Sequence, residues 1–266
     1  MNDDKYQILN QTKTSDVCDK SIHYYDLSPV VANRFGNILT QEPETIAWLN
    51  TFGKGTKLWD VGANVGIYSL YASLIRGFSV VAFEPEAANF YLLNKNIRAN
   101  PTADIVAYPF SIMDKPKISK LYLDRDMLGW ACNSFGAPVS PFLEDKPVAF
   151  SQGSVAFTAE QLIRTEHFAT PDLAKVDVDG FEHCVIDGMD SLIQNKAIRS
   201  LMIEINFRVA DHVALVAHLK RIGYVCSDRY IAQYTLQEGH FEGMCNVPFF
   251  ARTDDLERFI GFLGVF

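Results

Sequence analysis

LWDVGANVG at residues 58–66, followed by VVAFEPE at 80–86, decides how this chain folds. An apolar run enters Asp60-Val61-Gly62-Ala63-Asn64-Val65-Gly66, and a helical stretch follows. A second apolar run then closes on Glu84. The order reads as strand, glycine turn, helix, strand. Glycine in such a turn removes the Cβ that would hold a ligand away from the backbone. The start of the helix offers free N–H groups that suit a carboxylate or phosphate. An acid closing the next strand accepts hydrogen bonds from both hydroxyls of a ribose. Together these features describe a pocket for a cofactor that contains adenosine.

The spacing narrows the choice. A dinucleotide fingerprint needs G-x-G-x-x-G. Counted from Gly62, the other two positions hold Asn64 and Ile67, so the glycine that admits a pyrophosphate is missing. What stands is D-x-G-x-x-x-G, with Asp60 ahead of the turn. An acid there takes up the ammonium of an amino-acid moiety and offsets a sulfonium charge. S-adenosylmethionine carries both groups and NAD carries neither, so the residues favour the former. A merely structural glycine pair would explain the turn but not Glu84.

Four strings, DVGANVGIYSLYAS, VVAFEPEAANFYLLNKNI, KVDVDGFEHCVIDGMDSLI and LMIEIN, occur in this order. In order and spacing they resemble the FkbM family of S-adenosylmethionine-dependent methyltransferases. RFGNILTQEPETIAWL (34–49) is similar to the lead-in of many members. The resemblance covers about residues 34–206. It implies a class I, Rossmann-like methyltransferase with a doubly wound, mostly parallel seven-stranded sheet ending in an antiparallel strand. An N-terminal extension over 1–45 and an inserted hairpin or lid at about 115–157 complete the expected organisation around a domain spanning 46–266. Phe135 stands where the family loop is glycine-rich, and Pro116 interrupts the usual hairpin.

Working outward, the pattern agrees with an α/β chain. Strands are expected at 57–61, 79–83, 104–110, 118–124, 148–157, 199–206, 224–228 and 246–252, and 173–180 reads as a further core strand with its exit turn. Helices are expected at 43–52, 66–76, 86–99, 158–165 and 211–222, with further helix inside 182–193. Apolar strands alternating with helices imply a parallel sheet covered on both faces. Residues 1–33 read as polar and irregular. The segment 125–147, rich in Gly, Pro, Ser and aromatics, reads as a lid or binding loop. Within it Trp130 and Phe135 either cover a ligand or cap the sheet edge.

Composition sets outer bounds. The 266 residues carry a net charge of −8, a poor match for nucleic-acid phosphates, so nucleic acid is not expected as a partner. Five cysteines without a C-x-x-C suggest neither a disulfide framework nor a zinc site. No apolar run approaches the roughly 20 residues that span a bilayer. A cytoplasmic setting is expected.

In an open α/β sheet the ligand lies beyond the carboxyl ends of the strands. The donor site expected on this reading comprises Asp60, Gly62, Ala63, Asn64, Gly66, Glu84, Pro85, Ser111, Asp114 and Asp177. Lys175, Asp177 and Asp179 alternate and so share one side of their strand. There a Lys175–Asp177 pair would hold the strand end, or Asp177 would stand beside the transferred methyl group. Moving a methyl group to an alcohol needs a base, and the candidates are Asp177, Glu204 and His183. His212 and His218 read as helix-surface residues. Asp177, Asp179, Glu204 and Asn206 are hard oxygen donors that a Mg²⁺ ion would accept, but no spacing compels a metal. The acceptor expected from the resemblance is a hydroxyl of a sugar, a glycan or a secondary metabolite. N-methylation, a nicotinamide-dependent oxidoreductase and a non-catalytic donor-binding module stand as alternatives. Oligomeric state is not legible.

Overall fold

The computed structural model describes residues 12–264, so the first eleven residues of the segment read as irregular lie outside it. From Thr12 that segment is ordered, which corrects the reading of 1–33. Strands β1 (Thr12–Val17) and β2 (Lys20–Tyr25) form an antiparallel hairpin. Its turn places Cys18 and Asp19 at φ 49° and 62°. Two left-handed residues match the twist of a tight hairpin, and here neither is glycine, which hid the signal. Helix α1 (Pro29–Gly36) follows, with Ser28 Oγ accepting from Val31 N at 3.2 Å and Pro29 in the first turn. This is a standard helix start. Val17, Ile22, Tyr24, Val31 and Phe35 join the same hydrophobic core as the main sheet.

Helix α2 (Pro43–Asn50) leads into β3 (Lys57–Val61), the glycine turn and α3 (Ile67–Leu70), which runs on through a π turn (Tyr71–Ile75). Next come β4 (Ser79–Phe83), α4 (Ala87–Ala99), β5 (Ile105–Tyr108) and β6 (Ser111–Ile112). The inserted region holds β7 (Lys117–Leu123), β8 (Ser134–Phe135) and β9 (Phe150–Phe157). Alternation resumes with α5 (Ala159–Thr165), β10 (Leu173–Val176), α6 (Glu182–Asp187), α7 (Asp190–Gln194) and β11 (Ser200–Asn206). The chain closes with α8 (Ala210–Ile222), α9 (Asp228–Tyr234), β12 (Met244–Phe250) and α10 (Thr253–Leu263).

The main sheet has the order β12-β11-β10-β3-β4-β5. All neighbours are parallel except β11 and β12. The sheet is Rossmann-like and doubly wound. After β3 the chain fills one side of the sheet through β4 and β5, then crosses to β10 and β11 on the other. That makes the end of β3 the switch point where a crevice opens. Every residue of β3 after Lys57 is buried, as expected of a strand covered on both faces.

Among the described residues six strands pair here, where the resemblance implied seven. The strand expected at 224–228 is reduced to a bridge between Val225 and Phe250, with N–H···O distances of 2.8 and 2.9 Å. The reason is local: Ser227 Oγ accepts from Tyr230 N at 3.1 Å and starts α9, which turns the chain off the sheet edge. A second sheet, ordered β6-β9-β7-β8, carries the inserted region. No helix among the described residues is long and apolar enough to cross a membrane.

Candidate active site

The turn after β3 is built around two residues that have to lack a side chain. Gly62 has φ 87°, and a Cβ there would lie 1.8 Å from Asp177 O. Gly66 has φ 88°, and a Cβ would lie 2.4 Å from Leu93 Cδ1. Gly66 therefore fits the helix start against α4. It is not part of the cleft wall, although the sequence placed it in the donor set. Between the glycines, Asn64 sits at φ 51°, a left-handed position that asparagine tolerates. The N–H groups of Gly62 and Ala63 both donate to Phe83 O at 3.0 Å, tying the turn to the end of β4.

This turn forms one wall of a cleft with about 920 Å³ of empty space, its open mouth included. Asp60, Gly62, Ala63, Asn64, Glu84, Pro85, Ser111, Asp177 and Asp179 all line it. Asp114 does not. It is exposed and lies 3.7 Å from Lys115 Nζ. Glu84 is 5% exposed. Its Oε2 accepts from Asn64 N and its Oε1 from Glu86 N, both at 2.8 Å. Each oxygen keeps one lone pair for an outside donor, the geometry that two ribose hydroxyls need. Burial pushes the Glu84 carboxyl up to about 8, against those two N–H groups, which favour the anion. Phe110, Ile112, Leu121 and Phe135 form an apolar flank suited to a flat base.

Trp130 also lines the cleft. Its carbonyl accepts from Asn64 Nδ2 at 2.9 Å and Asn89 Nδ2 at 3.1 Å. Arg125 stacks on its ring at 4.2 Å. The inserted segment is thus fastened to the glycine turn and to α4.

Asp60 is buried, with Ser69 Oγ donating to its Oδ2 at 2.5 Å. Burial raises its pKa, opposed by Lys175 and Ser69. Lys175 pairs with Asp177 at 2.6 Å, so the strand-end pair read from the sequence is present. Burial pulls the lysine pKa down, but Asp177, Glu42 and Asp60 outweigh it and the net shift is upward.

The strand ends at Val176, and the rest of 173–180 is the exit turn, as expected. Asp179 and Gly180 at φ 58° and 113° turn the chain. That turn brings carboxylate oxygens of Asp177, Asp179 and Glu204 within 4.8 Å of one another. Burial, then Asp177 and Glu182, push Asp179 up to about 7. Burial first, then the same acids, raise Glu204. Asn206 does not join the trio: its Oδ1 accepts from Arg208 N at 3.0 Å and its Nδ2 faces Pro141 O at 3.3 Å.

His183 stands apart from the cleft wall, with Nε2 3.9 Å from Asp211. His212 is the opposite case and corrects the surface reading, since it is 1% exposed. Its Nδ1 accepts from Asn206 N at 3.0 Å, which assigns the proton to Nε2 between Gly180 O and Glu182 Oε2, each 3.1 Å away. Glu182 in turn accepts from Val178 N at 2.8 Å and Gly180 N at 3.1 Å. Glu182 and His212 therefore fix the turn that carries Asp177 and Asp179. The signal was present: His212 lies one helical turn before Leu215, on the apolar stripe of α8.

Distant likenesses among solved structures include three proteins. The ribosomal protein L11 methylase of Lactobacillus delbrueckii subsp. bulgaricus is 12% identical over 80% of this chain and 79% of that one, with TM-score 0.45. Precorrin-6y C5,15-methyltransferase of Geobacter metallireducens is 12% identical over 79% and 86%, with TM-score 0.41. M. capricolum TrmK, solved with S-adenosyl-homocysteine, is 9% identical over 78% and 67%, with TM-score 0.40. No curated protein sequence matches the chain. The family model described as the methyltransferase FkbM domain matches residues 60–226, from the acid before the glycine turn to the end of β11 and beyond. The chain belongs to the FkbM family of S-adenosylmethionine-dependent methyltransferases.

Proposed function

We propose that this methyltransferase transfers its methyl group to a hydroxyl oxygen of a sugar, a glycan or a secondary metabolite. The observation that carries the oxygen assignment is the carboxylate trio beside the donor cleft. An alcohol attacks poorly while it keeps its proton, and a base whose pKa lies near the working pH removes it best. Asp179, pushed up to about 7, meets that requirement, and Glu204, raised by burial and by the neighbouring acids, lies beside it and Asp177. The sugar or metabolite class rests on the family resemblance. A nicotinamide-dependent oxidoreductase has no support from this family.

The methyl donor supplies a sulfonium-bound methyl group to this cleft. Glu84 holds the ribose, Asp60 faces the amino-acid end, and Asp177 orients the acceptor hydroxyl. Asp179 or Glu204 receives the hydroxyl proton. The inserted segment around Trp130 keeps water away. Lys175 Nζ already balances Asp177 at 2.6 Å, so the reading adopted needs no metal, and activity should survive a chelator.

The test is methyl uptake from labelled donor across sugars and natural products, followed by Asp177→Asn with the acceptor found. The expected result is a fall in kcat of about 10²- to 10⁴-fold, with adenosylhomocysteine binding unchanged. Full activity in that variant, or methyl uptake on nitrogen, would overturn the oxygen assignment. No adenosylhomocysteine release with any acceptor would favour a binding module instead.

A further inference from the structure

Arg34 and Glu42, both from the lead-in RFGNILTQEPE (34–44), line the donor cleft although they lie outside the matched family segment. Among the described residues, the cleft wall carries two cationic side chains, Arg34 and Lys175. Lys175 is committed to Asp177 at 2.6 Å. Arg34 donates from Nε to Gly129 O at 2.9 Å, and its terminal nitrogens find no partner among the described residues. That single bond anchors the guanidinium plane and leaves both terminal nitrogens, with four N–H donors, for a ligand. Gly129 N donates to Asn89 Oδ1 at 2.7 Å, so the anchor is itself tied to α4.

A second observation points to the same place. Tyr68 is 6% exposed and lines the cleft, and its hydroxyl has no hydrogen-bond partner. The Glu42 carboxylate lies beside it without bonding geometry. A buried donor left unpaired is costly, so a hydroxyl in this position is built to meet an outside acceptor. The guanidinium fork matches a planar carboxylate in two parallel hydrogen bonds. Tyr68 follows the glycine turn directly, on the Asp60 side, whereas the ribose acid Glu84 lies at the end of the neighbouring strand.

We propose that Arg34 and Tyr68 form the subsite for the α-carboxylate of the methyl donor, with Glu42 facing its α-ammonium. The zwitterionic end of an amino acid presents both charges side by side, and this end of the cleft presents both complements. The lead-in segment is then part of the donor site, and Arg34 determines specificity for the amino-acid end. The proposal rests on the donor reading above.

Two ligands separate the proposal from that reading. Adenosylhomocysteine carries the amino-acid end, while 5′-methylthioadenosine has the same nucleoside and sulfur without it. Calorimetry with wild type, Arg34→Gln and Tyr68→Phe gives the comparison, and thermal melting checks that each variant folds. Arg34→Gln should weaken adenosylhomocysteine about 10- to 100-fold, and Tyr68→Phe about 3- to 10-fold. Both should leave 5′-methylthioadenosine within twofold. Arg34→Lys should recover only part of the loss, because it restores charge without the fork. Equal losses on both ligands, or none on either, would overturn the proposal. So would a rise in acceptor KM alone. If wild type bound neither ligand, the donor reading itself would fail first.

Discussion

Glu84 shows what one side chain does in this fold. Its two N–H donors orient it, and burial lifts its pKa to about 8. Two ribose hydroxyls donate best to the ionised carboxylate, so donor binding lowers that pKa. Adenosylhomocysteine binding near pH 7 is therefore expected to release a proton, and affinity should rise from pH 6 until it levels off above about 8. Calorimetry in buffers of different ionisation heat reads the proton directly. Glu84→Gln should abolish the pH dependence and weaken binding about 10- to 100-fold. A flat profile in the wild type would refute this role. Glu84 was legible because its identity and its place after an apolar run sufficed. Arg34 and Tyr68 were not, since an arginine in the last turn of one helix and a tyrosine within another are ordinary until the cleft gathers them.

At the scale of elements, α4 joins the N-terminal hairpin to the glycine turn through its asparagines. Asn96 is fully buried; its Oδ1 accepts from Tyr25 N and its Nδ2 donates to Val65 O, both at 2.9 Å. Asn100 makes a matching pair with His23, at 2.9 and 2.6 Å. These side chains satisfy the open edge of β2, which no further strand covers among the described residues. Asn96→Ala leaves two buried backbone groups unpaired and should cost about 2–4 kcal/mol of stability. Thermal melting would read this as a drop of roughly 4–16 °C at 2–4 °C per kcal/mol for a domain of this size. Donor affinity should fall as well, because Val65 loses its anchor. The strands of the main sheet were legible from their apolar runs, often to the residue, as at 57–61 and 79–83. The hairpin and α1 were not, because the hairpin turn uses Cys18 and Asp19 in place of glycine and both elements are short.

Across the whole molecule, buried acids set the response to pH. Glu84 and Asp179 sit at about 8 and about 7, against ordinary values of 4.5 and 3.8. Over that interval the folded chain holds protons that the unfolded chain has released, so stability falls as pH rises through it. Glu160 works the other way, because Ser191 holds its pKa low and its contribution disappears as pH falls through the acid range. The melting temperature is therefore expected to peak near pH 5 and decline toward pH 8. Glu84→Gln should flatten that decline, and a melting temperature that rises from pH 5 to 8 would contradict it. The alternation, the switch point and the acid that closes β4 could be read from the chain alone, because period, glycine spacing and a strand-ending carboxylate are local properties. Tertiary structure alone decided which charges meet. Lys175 is committed to Asp177 and Arg34 is left open, His212 is buried beside Glu182, and Asp179 and Glu204 close on each other, because these encounters join residues that are distant in sequence and only packing fixes their distances.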